Sequence, residues 1–360
     1  MIDKLRSKGL LIDSNTLAIE ILKSRGYYNL INRYKEEFYI TGTKKYREDV
    51  RITDLYYYHR IEDDLRNILF KFTINFEQRL KEAMAFTLAQ NFGTKQHQYL
   101  DPYKFRNKSK AQSITKFLLN SIRECTDNPT KYYKNKYGNV PPWILLSNTT
   151  LGQTRMLFSI FPLKLTEYVV GELLPIHENF NPQEPQPRSF IANNIDFSTH
   201  KVNEEEFEKL IEQQTQNLIE LTRNMLTIIT NFRNTLAHGN RLIHFKANQK
   251  INLKTIRTFV PCSVFSDEEF YHRDLGKNDL LAFIVSLITL MDKYDSLYLL
   301  EQLKAWKKAN TQSEFSKKTF DEFIDSCGLP HNFVERLRNI NIESTQRKRN
   351  RDFHKWYDSF

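Results

Sequence analysis

Cysteine is scarce in this sequence: Cys125, Cys262 and Cys327 are the only three in 360 residues. They stand far apart, with no CxxC pair and no neighbouring His pair, which excludes a disulfide framework and gives no zinc-ligand spacing. Glycine is sparse as well, at 10 residues, and neither a GxxxxGK[ST] nor a GxGxxG loop occurs. A backbone cradle for nucleotide phosphates is therefore not expected. No apolar run approaches the roughly 20 residues of a membrane-spanning helix. The opening MIDKLRSKGL lacks the apolar centre of a signal peptide. The expectation is a cytoplasmic chain that needs no metal and no organic cofactor.

Strand signals are rare too, and no internal repeat is visible, so the fold class expected is all-α. The formal net charge is +10, which favours a polyanionic partner because clustered Lys and Arg release counterions from phosphates. An anionic membrane surface would answer to the same charge. With no spanning segment, nucleic acid is the better match.

Asp13-Ser14 opens a helix with Leu17, Ile21 and Leu22 at helical spacing. Gly26 breaks it, and Tyr27, Tyr28, Leu30, Ile31 and Tyr34 start another. From Thr53-Asp54, Leu65, Leu69, Phe72, Phe76, Leu80, Ala83 and Leu88 recur at steps of three to five, a long amphipathic helix ending near Gly93. A basic stretch, Tyr103 to Phe117, leads into a helix that stops near Pro129, and Leu151-Gly152 opens one more. The string PIHENFNPQEPQPR reads as a loop or linker. Beyond it Phe207, Leu210, Ile211, Leu218, Leu221, Met225, Ile228, Phe232 and Leu236 mark one face of a helix for about eight turns. Leu280 to Leu303 reads as one further buried helix, and Phe315 to Arg338 as two short ones. The organisation expected is an N-terminal helical part (1–175), a linker (176–200), a long helix packing on the N-terminal part (201–245), and a mostly helical extension with a basic tail (246–360).

The long helix ends in FRNTLAHGNRLIHF, Phe232 to Phe245. At about 100° per residue, Asn234 and His238 fall opposite the apolar stripe, with Arg233 on the flank. A core histidine would sit with the stripe. Gly239 suits the left-handed turn that ends a helix, which puts His238 among unsatisfied carbonyls, where the helix dipole favours an imidazolium. A His there can take and give a proton, and Arg233 offers a planar fork for phosphate oxygens as charge develops. RNA brings its own nucleophile, the 2′-hydroxyl, so the chemistry needs no metal. Residues five apart on a helix diverge by about 140°. A second copy of the motif facing the first across a two-fold axis would complete the cleft, so a homodimer is part of the expectation. Arg349, Asn350 and His354 repeat the spacing near the C-terminus, without an apolar stripe before them or a glycine after, and read as a basic tail.

RNTLAHGNRL resembles the Arg-Asn-x-x-x-His signature of the HEPN superfamily of ribonucleases. LRSKGLLI, RGYYNLINRY, LYYYHRIEDDLRNILF, INFEQRLKEAM and PPWILLSNTTLG resemble, in order, segments of the bacterial abortive infection (Abi) family of phage-defence proteins. The resemblance implies a helical HEPN-type bundle with further helices after the catalytic one, and metal-independent RNA cleavage by a dimer, leaving 2′,3′-cyclic phosphate ends. It also implies a toxin-like activity restrained or directed by a partner that can itself be a small RNA. Arg233 and His238 take the catalytic roles and Asn234 a positioning one. Asn29 departs from the family, whose Tyr-Tyr pair is more often followed by Arg.

Further candidates for RNA contact are Arg241, just past the glycine, and Arg33, among tyrosines that serve equally as core. Arg79 lies inside an apolar stripe, where the alternative is a pair with Glu62 or Glu77. Lys104, Arg106 and Lys108 read as a solvated basic face or an RNA contact. Two readings compete with the nuclease: an RNA-binding regulatory module using the same Arg/His face without turnover, and a helical scaffold for protein partners.

Overall fold

The apolar stripe running from Leu55 to Leu88 is the physical centre of the molecule, and other helices lie against it on several sides. A computed structural model describes residues 1–176, 186–194 and 204–340, with the backbone alone for Gln186, Asn193, Asn194 and Glu204.

The chain enters through α1 (Ile2–Arg6) and α2 (Asn15–Arg25). Ser14 caps α2 by accepting the Leu17 N–H at 3.3 Å. Ala18 and Ile21 are its buried residues, whereas Leu17 is exposed, so the buried stripe is one position round from the expected one. Gly26, at φ +78°, ends the helix, and the next turn, Tyr28–Asn32, is π-helical and buries Leu30 and Ile31.

The long helix α3 (Ile52–Phe92) has 41 residues, a length of about 61 Å. Its first turn is fixed by the Asp54 carboxylate, which accepts the Arg51 N–H at 2.8 Å. At the other end the N–H of Gly93 donates to the Ala89 carbonyl at 3.0 Å. Leu65, Leu69, Phe72, Phe76, Leu80 and Leu88 are fully buried. Polar residues of the same helix, Glu62, Arg66, Thr73, Glu77 and Thr87, are buried as well, because a helix covered on several sides cannot send them all to water and must pair them instead.

Next come α4 (Gln96–Tyr99), α5 (Lys108–Glu124), α6 (Thr130–Tyr137), α7 (Pro142–Ser147), α8 (Leu151–Phe158) and α9 (Leu163–Leu173). The start expected at Leu151 is set by a capping box: Gln153 Oε1 accepts the Thr150 N–H at 2.8 Å, and Thr150 Oγ1 accepts the Gln153 N–H at 3.3 Å. Helices α7 and α9 pack on α3. Within the expected 176–200 linker, α10 (Gln186–Asn194) is helical and lies against α9 and α11 (Glu204–Ala237). Pro187 is compatible with this because it falls in the first turn, where its missing N–H has no intrahelical acceptor to serve.

After α11 the chain forms α12 (Leu253–Ile256), α13 (Asp267–Arg273), α14 (Leu280–Leu290), α15 (Lys293–Ala309), α16 (Glu314–Ser326) and α17 (Phe333–Leu337). The single helix expected over Leu280 to Leu303 is two. Asp292 caps α15, accepting the N–H groups of Tyr294 and Asp295 at 2.8 and 3.0 Å, and the break falls at Met291. Every residue of α14 is buried, packed on α11 and α3. Trp306 Nε1 of α15 donates to the Ile61 carbonyl of α3 at 3.2 Å. Residues 246–340 therefore share the core of the N-terminal part.

The architecture is all-α, and the described residues contain no β-strand, only two isolated bridges. No described helix is long and apolar enough to cross a membrane. The Arg349, Asn350 and His354 repeat lies outside the described residues.

Candidate functional site at the end of α11

The C-terminus of α11 is positioned by Phe232. Its ring stacks on Phe283 of α14, centroids 4.6 Å apart and planes at 2°, and meets Phe245 edge-on at 4.8 Å. The helix then closes in a Schellman turn: the Gly239 N–H donates to the Leu236 carbonyl at 3.2 Å and the Asn240 N–H to the Thr235 carbonyl at 3.0 Å. Gly239 sits at φ +63°, a conformation that disfavours a side chain. His238 is thereby the C-cap residue, exposed to solvent beside the last carbonyls of the helix.

Arg233 points the other way, toward α3. Its Nε lies 3.5 Å from Glu77 Oε2, an ion pair without hydrogen-bond geometry, and its side chain is 24% exposed. Glu77 also meets Lys81 at 2.8 Å. A guanidinium has five N–H donors, so this pairing leaves Arg233 capacity for a second anion. Asn234 is exposed. No side-chain hydrogen bond or ion pair joins Arg233 or Asn234 to His238 among the described residues, which for Arg233 is in keeping with a divergence of about 140° on a helix.

Behind the turn lies a buried polar cluster centred on Glu62, a residue with no exposed surface. One carboxylate oxygen accepts the Leu242 N–H. The other accepts the Tyr34 hydroxyl and lies 3.3 Å from Arg33 Nε and 3.4 Å from Arg66 Nη2. Arg66 continues to the Asn240 carbonyl at 3.1 Å, and Arg241 Nη1 donates to the Arg33 carbonyl at 3.1 Å. The segment that follows His238 is thus tied to α3 through the backbone of Asn240 and Leu242, and to Arg33, just past the Tyr28–Asn32 turn, through the Arg241 side chain. Burial first, and then the Glu62 charge, push the Tyr34 hydroxyl far above its ordinary value, so it stays protonated and acts as a donor. Since that proton goes to Glu62, the 3.1 Å contact between Tyr34 Oη and His59 Nδ1 has the imidazole donating. Burial, the largest influence on His59, holds it below its ordinary 6.5.

The other sequence candidates are scattered. Arg33 is half-buried in the Glu62 cluster, and Tyr34 is in the core, while Tyr28 is exposed. Arg79 pairs with neither Glu62 nor Glu77: it donates to the Glu172 carbonyl of α9 and lies 3.8 Å from Asp292, because its face of α3 is covered by α9 and α15. Lys104, Arg106 and Lys108 are exposed around the start of α5. Sequence reading missed what Glu62, Arg66 and Glu77 do for the motif. It also passed over Arg155 and Arg223, which line a cavity of about 270 Å³ between α5, α8 and α11. A wider groove of about 810 Å³ lies beside Trp143 and Tyr137. Neither space includes Arg233 or His238. The described residues contain no group of three or more His, Cys, Asp or Glu placed to hold a metal ion.

No curated protein and no solved structure matches the chain. A family model described as Abi-like protein matches residues 20–244, from α2 through the Arg-Asn-x-x-x-His turn and on to His244, and the chain belongs to that family.

Proposed function

We propose that this protein is a metal-independent endoribonuclease of the HEPN type, acting in phage defence, a role that membership of the Abi-like family suggests. The observation that carries the reading is the end of α11: an exposed His238 at a helix C-terminus, one turn from Asn234, with the backbone after it immobilised by the Glu62 cluster. An imidazole carried on a fixed backbone beside partial negative charges is suited to proton transfer. The 2′-hydroxyl of RNA loses its proton to a base, and its oxygen attacks the adjacent phosphorus. The 5′-oxygen then leaves with a proton, giving a 2′,3′-cyclic phosphate and a free 5′-hydroxyl. His238 serves one or both proton transfers, and Arg233 neutralises charge on the phosphate oxygens.

In one chain Arg233 and His238 diverge, so the working cleft is formed by two copies related by a two-fold axis. Arg233→Ala and His238→Ala are each expected to abolish RNA cleavage and cellular toxicity while leaving the fold intact, since neither residue is in the core. Mixing the two inactive variants is expected to restore part of the activity through composite clefts. Full activity in both single variants would sink the proposal.

A second reading is favoured by one feature, the engagement of Arg233 with Glu77. It treats the face as a phosphate contact without turnover. Under it, the same variants lose RNA affinity and salt dependence, and the wild type cleaves nothing.

A further inference from the structure

The cavity between α5, α8 and α11 is lined by cations with, among the described residues, no carboxylate to answer them. Lys110, Arg155, Ser159, Arg223 and Thr227 line it, with Phe158 as an apolar wall. Arg155 Nη1 donates to Thr227 Oγ1 at 2.8 Å, which holds its guanidinium against α11. The Arg223 guanidinium carbon lies 6.0 Å from the centre of the Phe158 ring, and its Nε and Nη2 are buried without a hydrogen-bond partner. Buried donors left unmatched are destabilising. Burial and, after it, the Arg106 guanidinium hold Arg223 below its ordinary value. Glu220, an exposed carboxylate one turn earlier, acts on it from a distance and forms no ion pair with it among the described residues. An anion in the cavity would meet two idle donors and relieve the crowding of positive charge.

Helix geometry links this cavity to the motif. Taking Arg223 as zero and advancing about 100° per residue, Thr227, Asn231, Asn234 and His238 all fall within about 80° of it. They mark a polar strip about 22 Å long on one side of α11. From Leu221 to Ser266 the sequence holds no Asp or Glu, so nothing on that strip repels a phosphate backbone. The strip ends at His238.

We propose that the cavity binds a backbone phosphate of single-stranded RNA, a few nucleotides along the strand from the phosphodiester at Arg233 and His238. This rests on the reading of the chain as an RNA-cleaving protein. Arg223 and Arg155 are then binding residues that fix the strand's path along α11, and Phe158 excludes water from the bound phosphate.

The test uses the full chain and a short fluorescein-labelled RNA carrying 2′-O-methyl groups, which lacks the nucleophile and is not cleaved. Arg223→Met is compared with Lys317→Met, an equal charge change at an exposed position on α16. The expected result is an affinity at least about tenfold weaker in Arg223→Met, from loss of a charge-assisted hydrogen bond. The salt dependence of binding should also be shallower by about 0.7 in slope, the share of a single neutralised phosphate on a single strand, with a melting temperature equal to or above that of wild type. Wild-type binding with the two variants indistinguishable would overturn the cavity and leave the nuclease reading standing. Weaker binding together with a lower melting temperature would mark Arg223 as structural and overturn the proposal. An Arg223-dependent thermal shift with AMP, at unchanged RNA affinity, would overturn it in favour of a free nucleotide. A wild type that binds no RNA would remove the proposal and the reading beneath it together.

Discussion

Around Glu62 one fully buried carboxylate meets two guanidiniums, a tyrosine hydroxyl and a backbone N–H, whereas around Arg223 three cations line a cavity and meet no carboxylate among the described residues. The first joins α3 to the turn that ends α11, and the second lies between α11, α5 and α8. What separates them is charge pairing. The Glu62 cluster gives its guanidiniums a buried carboxylate, although Arg33 Nε and Nη2 and Arg66 Nε have no hydrogen-bond partner there, and it holds Asn240 and Leu242 in place. The Arg223 cluster has idle donors too, and among the described residues no carboxylate beside them. Matched buried charge marks architecture, and unmatched buried charge marks a place for a ligand.

The comparison can be broken by substitution, beginning with the largest effect. Glu62→Ala would strand Arg33 in the interior and leave Arg66 with the half-buried Asp63, at 3.0 Å, as its only carboxylate among the described residues. It is expected to destabilise the protein by about 3–5 kcal/mol, read from urea unfolding, with activity falling as the turn after His238 loosens. A loss below about 1 kcal/mol would mean that the cluster is not closed at all. Glu77 lies between the two extremes, with one cation at 2.8 Å and another at 3.5 Å. Glu77→Gln should cost about 1–3 kcal/mol, measured the same way. For Arg223→Met the expected change in unfolding midpoint is nil or upward, opposite in sign to the first two.

The smallest effect sharpens the comparison through pH. His59, at the edge of the Glu62 cluster, has its proton affinity lowered by burial from the ordinary 6.5. Above about pH 6.5 the imidazole is neutral in both folded and unfolded chains, and its contribution is fully present. Below that, the unfolded chain takes up the proton first, so stability falls as the pH drops toward the lowered folded value. Urea midpoints at pH 7.5 and 5.5 should therefore decline toward acid in wild type, and decline less in His59→Gln.

Much of this architecture was legible in the sequence because local physics decided it. The stripe from Leu65 to Leu88 and the one from Leu218 to Leu236 gave both long helices, and Gly93 and Gly239 gave their ends. The Schellman turn and the exposure of His238 follow from a glycine placed just past the last apolar residue. What escaped was set by contacts distant in sequence. Arg79 inside the α3 stripe pointed to a pair with Glu62 or Glu77, yet Glu62 takes Arg33 and Arg66 and Glu77 takes Lys81 and Arg233, partners that depend in part on how α11 and the Tyr28–Asn32 turn dock. The break between α14 and α15 was hidden because the apolar pattern continues through it, although Asp292 at a capping position was its local signal. Arg155 and Arg223 look like ordinary surface cations until three helices are brought together.

The most direct test of the account is incubation of purified protein with labelled RNA in EDTA, with wild type beside His238→Ala and the product ends determined. The account predicts wild-type fragments ending in 2′,3′-cyclic phosphate and 5′-hydroxyl, and none from the variant. Cleavage by His238→Ala at the wild-type rate would contradict it and remove the α11 terminus as the catalytic centre.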